Sequence, residues 1–201
     1  MKLYWSPASP YARKVRVVAY EKGLAGRIEE ITVEPFSDPA ALVTANPLGK
    51  VPTLIREDGE PLFDSAVICA WLDAHPAGHG ATLCPSAGPE RWTVMKAEAV
   101  ADGAMDLGMA LTLERRKPEA ERSPTSAARW RVQLAHTVDA MLPEIGRLPP
   151  HITLGHLAIV CALGYLDFRH PDFAWRDDRA SLAAWYEGIA ARPSLVATAP
   201  K

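Results

Sequence analysis

The chain has 201 residues, 48% of them hydrophobic, and a formal net charge of −2 at pH 7. This length and apolar content allow one large domain or two small ones in an ordinary soluble globular protein, and the small net charge excludes a broad basic surface for nucleic acid or anionic membrane. The longest apolar run, LAIVCALGYL (157–166), falls well short of the roughly 20 residues of a membrane-spanning helix, so we expect no membrane span.

The N-terminal stretch begins with a strand and a helix. KLYW at residues 2–5 predicts a short strand. Ser9 precedes Pro10, and a serine just outside a helix with proline at its first position is typical of a helix N-terminus. Apolar residues recur at helical spacing from there to about Lys22, and Gly23 supplies a stop. At least one role of Ser9 is therefore expected to be structural.

The rest of the first 75 residues alternates strands with one more helix. RIEEITV (27–33) predicts a second strand, and the β-helix-β order favours a parallel pair with a right-handed crossover. VPTLIREDGEPLF (51–63) contains two apolar runs separated by EDGE, which predicts a hairpin. A helix is expected from Ser65 to about Ala74.

A segment dense in glycine and proline, HPAGHGATLCPSAGP (75–89), separates this region from a second one without a convincing strand. We therefore expect a first domain at 1–76, a linker at 77–88 and an all-helical domain at 89–201. The charged run LERRKPEAER (113–122) is interpreted as a solvated connection between two long helices. The helices of the second domain are expected at about 89–116, 125–146, 154–169 and 179–191.

The histidines and cysteines give no metal or redox site. His75, His79 and Cys84 have a superficially metal-like spacing, but they lie in the linker without a suitable fourth ligand, so we expect no metal. The three cysteines, which include Cys69 and Cys161 in apolar helical contexts, form no C-x-x-C pair and indicate no disulfide framework. The apolar segment at the N-terminus, LYW, is too short for a secretory signal, so a cytoplasmic protein is expected.

Four short motifs occur in order along the chain. They are SPYA (9–12), NPLGKVPTL (46–54), LFDSAVICAWL (62–72) and ITLGHLAI (152–159). With this order and spacing the chain resembles the cytosolic glutathione transferases, and GYLDFR (164–169) is similar to a bacterial subgroup with poorly defined substrates. The resemblance implies an α/β, thioredoxin-like N-terminal domain, an all-α C-terminal domain and a homodimer.

Two of these motifs imply a glutathione site. In the family, the bond before the proline matched by Pro52 is cis, and the residue matched by Val51 offers its backbone to the cysteinyl part of glutathione, as an extended peptide does at a strand edge. An ordinary trans proline is the alternative. Asp64 and Ser65 resemble the pair that binds the γ-glutamyl end, the carboxylate taking the ammonium and the hydroxyl taking the carboxylate. A plain helix cap would explain the same pair, and the two roles are compatible.

The glycine carboxylate of glutathione still needs a cation. The family often supplies a lysine or histidine before the NP motif, but FSDPAALVTANPLG (36–49) contains neither. Lys50 is the nearest candidate and Arg13 the second, with a solvated surface lysine as the alternative interpretation of Lys50.

Ser9 is the candidate catalytic residue. SPYA matches the thioredoxin-like CPYC, with Ser9 in place of the reactive cysteine and Ala12 in place of the second, so thiol–disulfide exchange through this motif is lost. A hydroxyl at a helix N-terminus can donate a hydrogen bond to the thiolate of glutathione. A role as helix cap alone is the alternative, and Ser6, Tyr4 and Tyr11 are competing candidates.

The second domain contains two further points of interest. Thr153 begins a helix that is apolar nearly all round, which is typical of a central buried helix. The family typically has aspartate three residues later, whereas this chain has His156, so we expect Thr153 to cap the helix without the reciprocal carboxylate bond. Asp102 and Asp106 could face the active site or a partner subunit, although solvated aspartates are the preferred interpretation.

The resemblance implies a transferase that conjugates or otherwise activates glutathione, its co-substrate, toward a small hydrophobic electrophile. The alternative is a non-catalytic glutathione-binding or protein-interaction module, which the missing basic residue before Asn46 and the presence of His156 favour. A thiol reductase is disfavoured because no cysteine occupies position 9. Neither nucleic acid nor membrane is expected as a partner.

Overall fold

The computed structural model describes residues 1–200 and divides them into two compact units. Unit 1 comprises Met1–Cys84 together with the C-terminal segment that begins at Arg192, and unit 2 comprises Pro85–Ala191. Unit 1 is α/β and unit 2 is all-α, so the predicted fold class is confirmed. Over the described residues, no helix combines the length and the apolarity needed to cross a membrane.

Unit 1 contains a four-stranded sheet and four helices. The sequence predicted neither of the two short helices, Ala40–Ala45 and Pro193–Ala197, because elements of five or six residues are too short to show a hydrophobic period. In chain order the elements are β1 (Lys2–Trp5), α1 (Pro10–Glu21), β2 (Glu29–Thr32), α2 (Ala40–Ala45), β3 (Thr53–Ile55), β4 (Pro61–Leu62), α3 (Ser65–Asp73) and α8 (Pro193–Ala197).

The strands of the sheet lie in the order β2-β1-β3-β4. β1 and β2 are parallel, as the β-helix-β order predicted, and Tyr4 lies opposite Ile31. β3 is antiparallel to β1, with Tyr4 opposite Thr53, and β4 is antiparallel to β3, so the predicted hairpin is also confirmed. Helices α1 and α3 pack against each other. The core side chains of unit 1 include Leu3, Val15, Val18, Leu54, Ile68 and Leu72.

The C-terminal segment differs from the expectation that residues 89–201 form one domain. Helix α8 packs against α1 and belongs to unit 1. Arg192 Nη2 lies 2.7 Å from a carboxylate oxygen of Glu21, and Arg13 Nη2 donates to the Leu195 carbonyl at 3.2 Å. The sequence could not indicate this placement, because the bonded partners are more than 170 residues apart in the chain.

Unit 2 is built from four helices, and their predicted limits agree with the observed ones to within one residue. Helix α6 is buried along almost its whole length, as its apolar sequence predicted. Glycines allow α4 and α6 to approach closely: a Cβ added to Gly108 would lie 2.9 Å from the Tyr165 ring, and one added to Gly155 would lie 2.9 Å from Ala97 Cβ. The helices are α4 (Pro89–Arg116), α5 (Pro124–Ile145), α6 (Leu154–Arg169) and α7 (Ala180–Ala190).

The start of α6 corrects one prediction. Thr153 is the N-cap residue, and its backbone N–H donates to His156 Nδ1 at 3.2 Å. A backbone N–H can only donate, so Nδ1 is unprotonated, and the Thr153 hydroxyl at 2.9 Å can donate to the same nitrogen. The imidazole therefore makes the reciprocal bond that a carboxylate makes in an ordinary capping box, and the expectation that this bond would be missing was wrong.

The cap predicts a specific pH dependence of stability. Burial, and to a smaller extent the charge of His151, lowers the pKa of His156 from 6.5 to about 4. Between these two pH values the unfolded chain binds a proton that the folded chain does not. The stabilisation by neutral His156 is therefore complete above about pH 6.5 and is lost as the pH falls toward 4.

His156→Gln isolates this effect, because glutamine offers an acceptor oxygen at the same position and does not titrate. We expect the free energy of unfolding of the wild type to fall more steeply than that of the variant between pH 6.5 and 4, by about 1–3 kcal/mol in all. Urea unfolding curves at several pH values measure this difference. Parallel pH profiles of the two proteins would contradict the role of His156.

Candidate functional site

Three segments of unit 1 meet at one edge of the sheet. β1 ends at this edge and leads directly to Ser9. Because β3 is antiparallel to β1 and Thr53 lies opposite Tyr4, residues 51–52 lie beside the end of β1. β4 is antiparallel to β3, so the C-terminal end of β4 reaches the same edge. Asp64 follows β4 two residues after its end at Leu62. The topology thus brings together three segments that are far apart in the sequence.

Ser9 is the N-cap residue of α1. Its backbone is extended, with φ −81° and ψ 116°, and its Oγ accepts the Ala12 N–H at 3.2 Å. Its own N–H donates to the Ser6 carbonyl at 3.0 Å, which closes the turn before the helix. The residue is buried, with 8% of its surface exposed. The cap bond uses a lone pair of Oγ, so the hydroxyl proton remains able to donate to a thiolate.

The competing hydroxyl groups lie in the same region. Tyr4 is half-buried in the middle of the sheet, between β2 and β3, and Tyr11 is half-buried in the first turn of α1. Ser6 lies in the loop, where its carbonyl accepts the Ser9 N–H. Of the four candidates, Ser9 is the one whose hydroxyl caps the N-terminus of α1, where the helix dipole favours an anion.

The peptide bond between Val51 and Pro52 is cis, as the resemblance implied. Val51 lies directly before this bond and is half-buried, and Thr53 begins β3 immediately after it. The segment leads straight into the strand that pairs with β1. Its backbone position is therefore fixed by the sheet on one side.

On the other side the segment is held by Asn46, a residue not predicted to belong to the site. Its buried side chain donates to the Lys50 carbonyl and to Thr53 Oγ1, each at 3.0 Å, and accepts the Leu48 N–H at 3.0 Å. The signal in the sequence is an asparagine before a proline, since asparagine often bonds the backbone of the turn that follows it.

Asp64 and Ser65 lie at the N-terminus of α3. Asp64 is the N-cap residue and is exposed, and its Oδ1 accepts the Ala66 N–H at 3.1 Å. Ser65 is the first residue of the helix and is buried, with 3% of its surface exposed. The cap interpretation is therefore confirmed for Asp64. The second carboxylate oxygen and the charge of Asp64 remain available to a ligand.

The two candidate cations differ in accessibility. Lys50 is exposed and directly precedes Val51. Arg13 is buried, with 8% of its surface exposed, and its Nη2 donates to the Leu195 carbonyl. Lys50 is therefore the better placed of the two to meet a carboxylate from solvent.

His79 and Cys84, two of the residues with metal-like spacing, form backbone hydrogen bonds that attach the segment before unit 2 to the rest of unit 1. The His79 N–H donates to the Lys22 carbonyl at 3.1 Å, and Lys22 forms a buried ion pair with Asp73 at 3.0 Å. Asp73 in turn accepts the Cys84 N–H at 2.9 Å. Within residues 1–200, no group of three or more histidine, cysteine or acidic side chains could hold a metal ion.

Two buried titratable groups of unit 2, Tyr165 and His170, share a hydrogen-bond network with Thr112. Thr112 Oγ1 lies 3.1 Å from both the Tyr165 hydroxyl and His170 Nε2. His170 Nε2 lies 2.8 Å from the Gly108 carbonyl, and Nδ1 lies 2.8 Å from Arg115 Nη2, so Nε2 carries the proton and Nδ1 accepts. Burial, followed by the Arg115 charge, lowers the pKa of His170, and burial raises that of Tyr165. This network joins α4 to the end of α6.

Asp102 and Asp106 lie on α4 in unit 2. Asp102 is half-buried and Asp106 is exposed. Their positions on one helix assign them no chemical role.

The chain is similar to known families and proteins over both of its units. Residues 8–75 match the family model described as the N-terminal domain of glutathione S-transferase, and residues 124–188 match the model of its C-terminal domain. The chain is 34% identical over 203 residues to an uncharacterized GST-like protein, YibF, from Escherichia coli K12, and the alignment covers 100% of this chain and 98% of that protein.

Two similar solved structures contain glutathione. A glutathione transferase family member from Pseudomonas fluorescens Pf-5 with bound glutathione has a TM-score of 0.95 and 37% identity, over 100% of this chain and 98% of that one. A glutathione S-transferase from Methylobacillus flagellatus KT with glutathione bound has a TM-score of 0.91 and 34% identity, over 100% and 99% of the two chains.

Proposed function

The chain belongs to the glutathione S-transferase family and is a transferase of that type. From that premise we propose that it binds glutathione at the end of the unit 1 sheet where the three segments meet. We propose further that it conjugates glutathione, or otherwise activates it, toward a small hydrophobic electrophile. The observation that carries this proposal is the convergence there of Ser9, the segment 51–52 and the N-terminus of α3. The glutathione in the two related structures supports it.

The proposed site meets each part of glutathione with a chemically suitable group. The Val51 backbone bonds the cysteinyl part, Asp64 pairs with the ammonium, and Ser65 with the N-terminus of α3 receives the γ-glutamyl carboxylate. Lys50 pairs with the glycine carboxylate. All these groups come from backbone or side chains of unit 1, and the proposal includes no metal.

Ser9 is proposed to stabilise the thiolate. Lowering a thiol pKa from about 8.5 by two units requires about 2.7 kcal/mol of preferential stabilisation of the anion. A hydrogen bond to a charged group supplies roughly 1.5–3 kcal/mol, and a helix N-terminus supplies up to about 2 kcal/mol. The hydroxyl of Ser9 on α1 is therefore sufficient, and a stronger base is not required. The thiol proton goes to solvent, and the sulfur forms a bond to the electrophilic carbon. The bond that breaks depends on the electrophile: an aryl halide releases halide, an epoxide opens its C–O bond to an alkoxide that takes up a proton, and an unsaturated carbonyl compound loses its C=C π bond and gains a proton on the neighbouring carbon.

The test is direct binding followed by turnover. Calorimetry should give a dissociation constant for glutathione in the micromolar to low millimolar range, which is the usual range for enzyme substrates. Conjugation is then measured across a panel that contains an aryl halide, an epoxide and an unsaturated carbonyl compound. Absence of glutathione binding would overturn the proposal as a whole.

A second function is favoured by one observation of the sequence. Residues 36–49 contain no lysine or histidine, where the family often has the cation for the glycine carboxylate. A non-catalytic glutathione-binding or protein-interaction module would tolerate this loss. Glutathione binding without conjugation of any electrophile in the panel is the result that this second function predicts.

We propose a cytoplasmic location. The three cysteines are an odd number and form no C-x-x-C pair, so they do not indicate the disulfide framework that is typical of small secreted proteins.

We also propose a homodimer. Exposed apolar side chains on α4 support the dimer: Trp92 has 67% of its surface exposed and Met95 has 38%. Aromatic side chains of this kind are enriched at protein interfaces.

Trp92→Glu is expected to weaken the dimer at least tenfold, because it replaces a large apolar contact with a charge that must be desolvated. The matched control is Val196→Glu, since Val196 is a similarly exposed apolar residue, at 62%, on α8. Sedimentation velocity at micromolar concentration measures both. A monomeric wild type would contradict the dimer, and dissociation by the Val196 variant alone would move the interface away from α4.

A further inference from the structure

We propose that Asn46 is a positioning residue for the glutathione site: its side-chain amide fixes the peptide unit between Lys50 and Val51 and so sets the direction of the Val51 N–H. This inference rests on the proposed function, in which the Val51 backbone bonds the cysteinyl part of glutathione. It adds to that function a residue that touches no substrate atom and acts through the backbone.

The contacts of Asn46 form a closed ring. Its Nδ2 donates to the Lys50 carbonyl and to Thr53 Oγ1, each at 3.0 Å, and Thr53 Oγ1 donates to the same carbonyl at 2.9 Å. The Lys50 carbonyl therefore receives two donors. Asn46 lies at the C-terminal end of α2 and Thr53 is the first residue of β3. The ring therefore connects the loop between them to two elements of secondary structure.

The ring controls Val51 because of peptide geometry. The bond between Lys50 and Val51 is trans, since the cis bonds of the described chain are those before Pro52 and Asp64. In a planar trans peptide the C=O and the N–H point in opposite directions. A Lys50 carbonyl held toward Asn46 and Thr53 therefore turns the Val51 N–H away from them. Loss of the ring would leave this peptide plane able to rotate.

Burial makes the amide difficult to replace. Asn46 has 1% of its surface exposed and Thr53 has none, so water cannot readily take over a lost hydrogen bond. The Oδ1 of Asn46 also accepts the Leu48 N–H at 3.0 Å. Asn46→Asp keeps an acceptor for Leu48 and removes both donors, so it breaks the ring and preserves the turn. Thr53→Val removes the other donor to the Lys50 carbonyl and serves as the second variant.

The first measurement needs no ligand. In ligand-free protein, amide NMR and hydrogen exchange should show a shifted and faster-exchanging Val51 N–H in Asn46→Asp and in Thr53→Val, with the amides of β1 unchanged. An unchanged Val51 amide in both folded variants would overturn the inference. This result is independent of glutathione binding, so it decides the role of Asn46 even if the proposed function fails.

The second measurement uses reduced glutathione and S-methylglutathione as probes. The Val51 backbone contact is common to both ligands, so Asn46→Asp should raise both dissociation constants by about tenfold. Thr198→Val is the matched control, because Thr198 is a buried threonine of unit 1 whose hydroxyl donates to the Ser194 carbonyl at 2.8 Å. We expect the control to lower the melting temperature and to leave both dissociation constants unchanged.

The outcomes separate three explanations. A lower melting temperature of Asn46→Asp with unchanged affinity for both ligands would mean that Asn46 is only structural, and would overturn the inference. If Asn46→Asp weakens the binding of reduced glutathione and leaves that of S-methylglutathione unchanged, the effect lies at the thiol. This result would also overturn the inference. A wild type that binds neither ligand would overturn the proposed function, while the amide measurements would still decide whether Asn46 orients Val51.

Discussion

Ser9→Ala is expected to raise the pKa of the bound glutathione thiol by about one to two units, because the thiolate loses the hydrogen bond that the Ser9 hydroxyl donates to it. At pH 6.5 a thiol with a pKa of about 6.5 is half ionised, so a rise of its pKa by one to two units lowers the thiolate fraction by about five- to fiftyfold, and turnover should fall in proportion. The affinity for S-methylglutathione should change little, since that ligand has no thiolate. Ultraviolet absorbance of the thiolate during a pH titration measures the pKa directly.

The structure requires a control for the loss of the helix cap. The Ala12 N–H donates to Ser9 Oγ, so Ser9→Ala should also cost about 0.5–2 kcal/mol of folding stability. Ser123 is a matched N-cap serine in unit 2, where its Oγ accepts the Ser126 N–H at 3.3 Å. Ser123→Ala should lower stability similarly and leave the thiol pKa unchanged.

The same pKa in wild type and Ser9→Ala would remove Ser9 from catalysis and leave it a cap. Tyr4, Tyr11 and Ser6 would then be tested in that order. Ser9→Cys gives a complementary result: the introduced thiolate can attack oxidised glutathione, form a mixed disulfide and release one reduced glutathione. Mass spectrometry should detect the gain of one glutathionyl group, which wild type should not show at this position.

Asp64→Asn is expected to weaken glutathione binding by about ten- to hundredfold, because the ammonium of the ligand loses its charged partner. Asparagine is as good an N-cap as aspartate, so the bond to the Ala66 N–H and the stability of α3 should be retained. Calorimetry measures the affinity. Because the charge of Asp64 is exposed, the affinity of the wild type should also fall with added salt more than that of the variant.

Asp58→Asn is the control for this prediction. Asp58 is an exposed carboxylate of the same unit, and its Oδ1 accepts the Glu60 N–H at 3.1 Å in the same way that Asp64 accepts the Ala66 N–H. The control should bind glutathione as the wild type does. Equal dissociation constants for wild type and Asp64→Asn would show that Asp64 is only a helix cap.

The sequence by itself determined the fold class and most of the helices. Flanking prolines set the limits of α4 and α6, and the nearly all-round apolar sequence of α6 identified it as a central buried helix. The order of strand, helix and strand set the parallel pair, because a right-handed crossover is the usual connection. Ser9 and Asp64 were identified as helix caps from local sequence alone, since a cap bonds a backbone N–H two or three residues away.

Only the tertiary structure decided which groups meet. The ring around the Lys50 carbonyl depends on two side chains that converge from α2 and β3, and the attachment of α8 depends on partners of Arg192 and Arg13 at the other end of the chain. The sequence predicted that Thr153 would cap α6 without a reciprocal bond, because His156 stands where the family has aspartate, whereas burial keeps Nδ1 of His156 unprotonated and able to accept. Hydrogen-bond partners that are distant in the sequence, and the burial of each group, are properties of the folded chain, so no local pattern in the sequence encodes them.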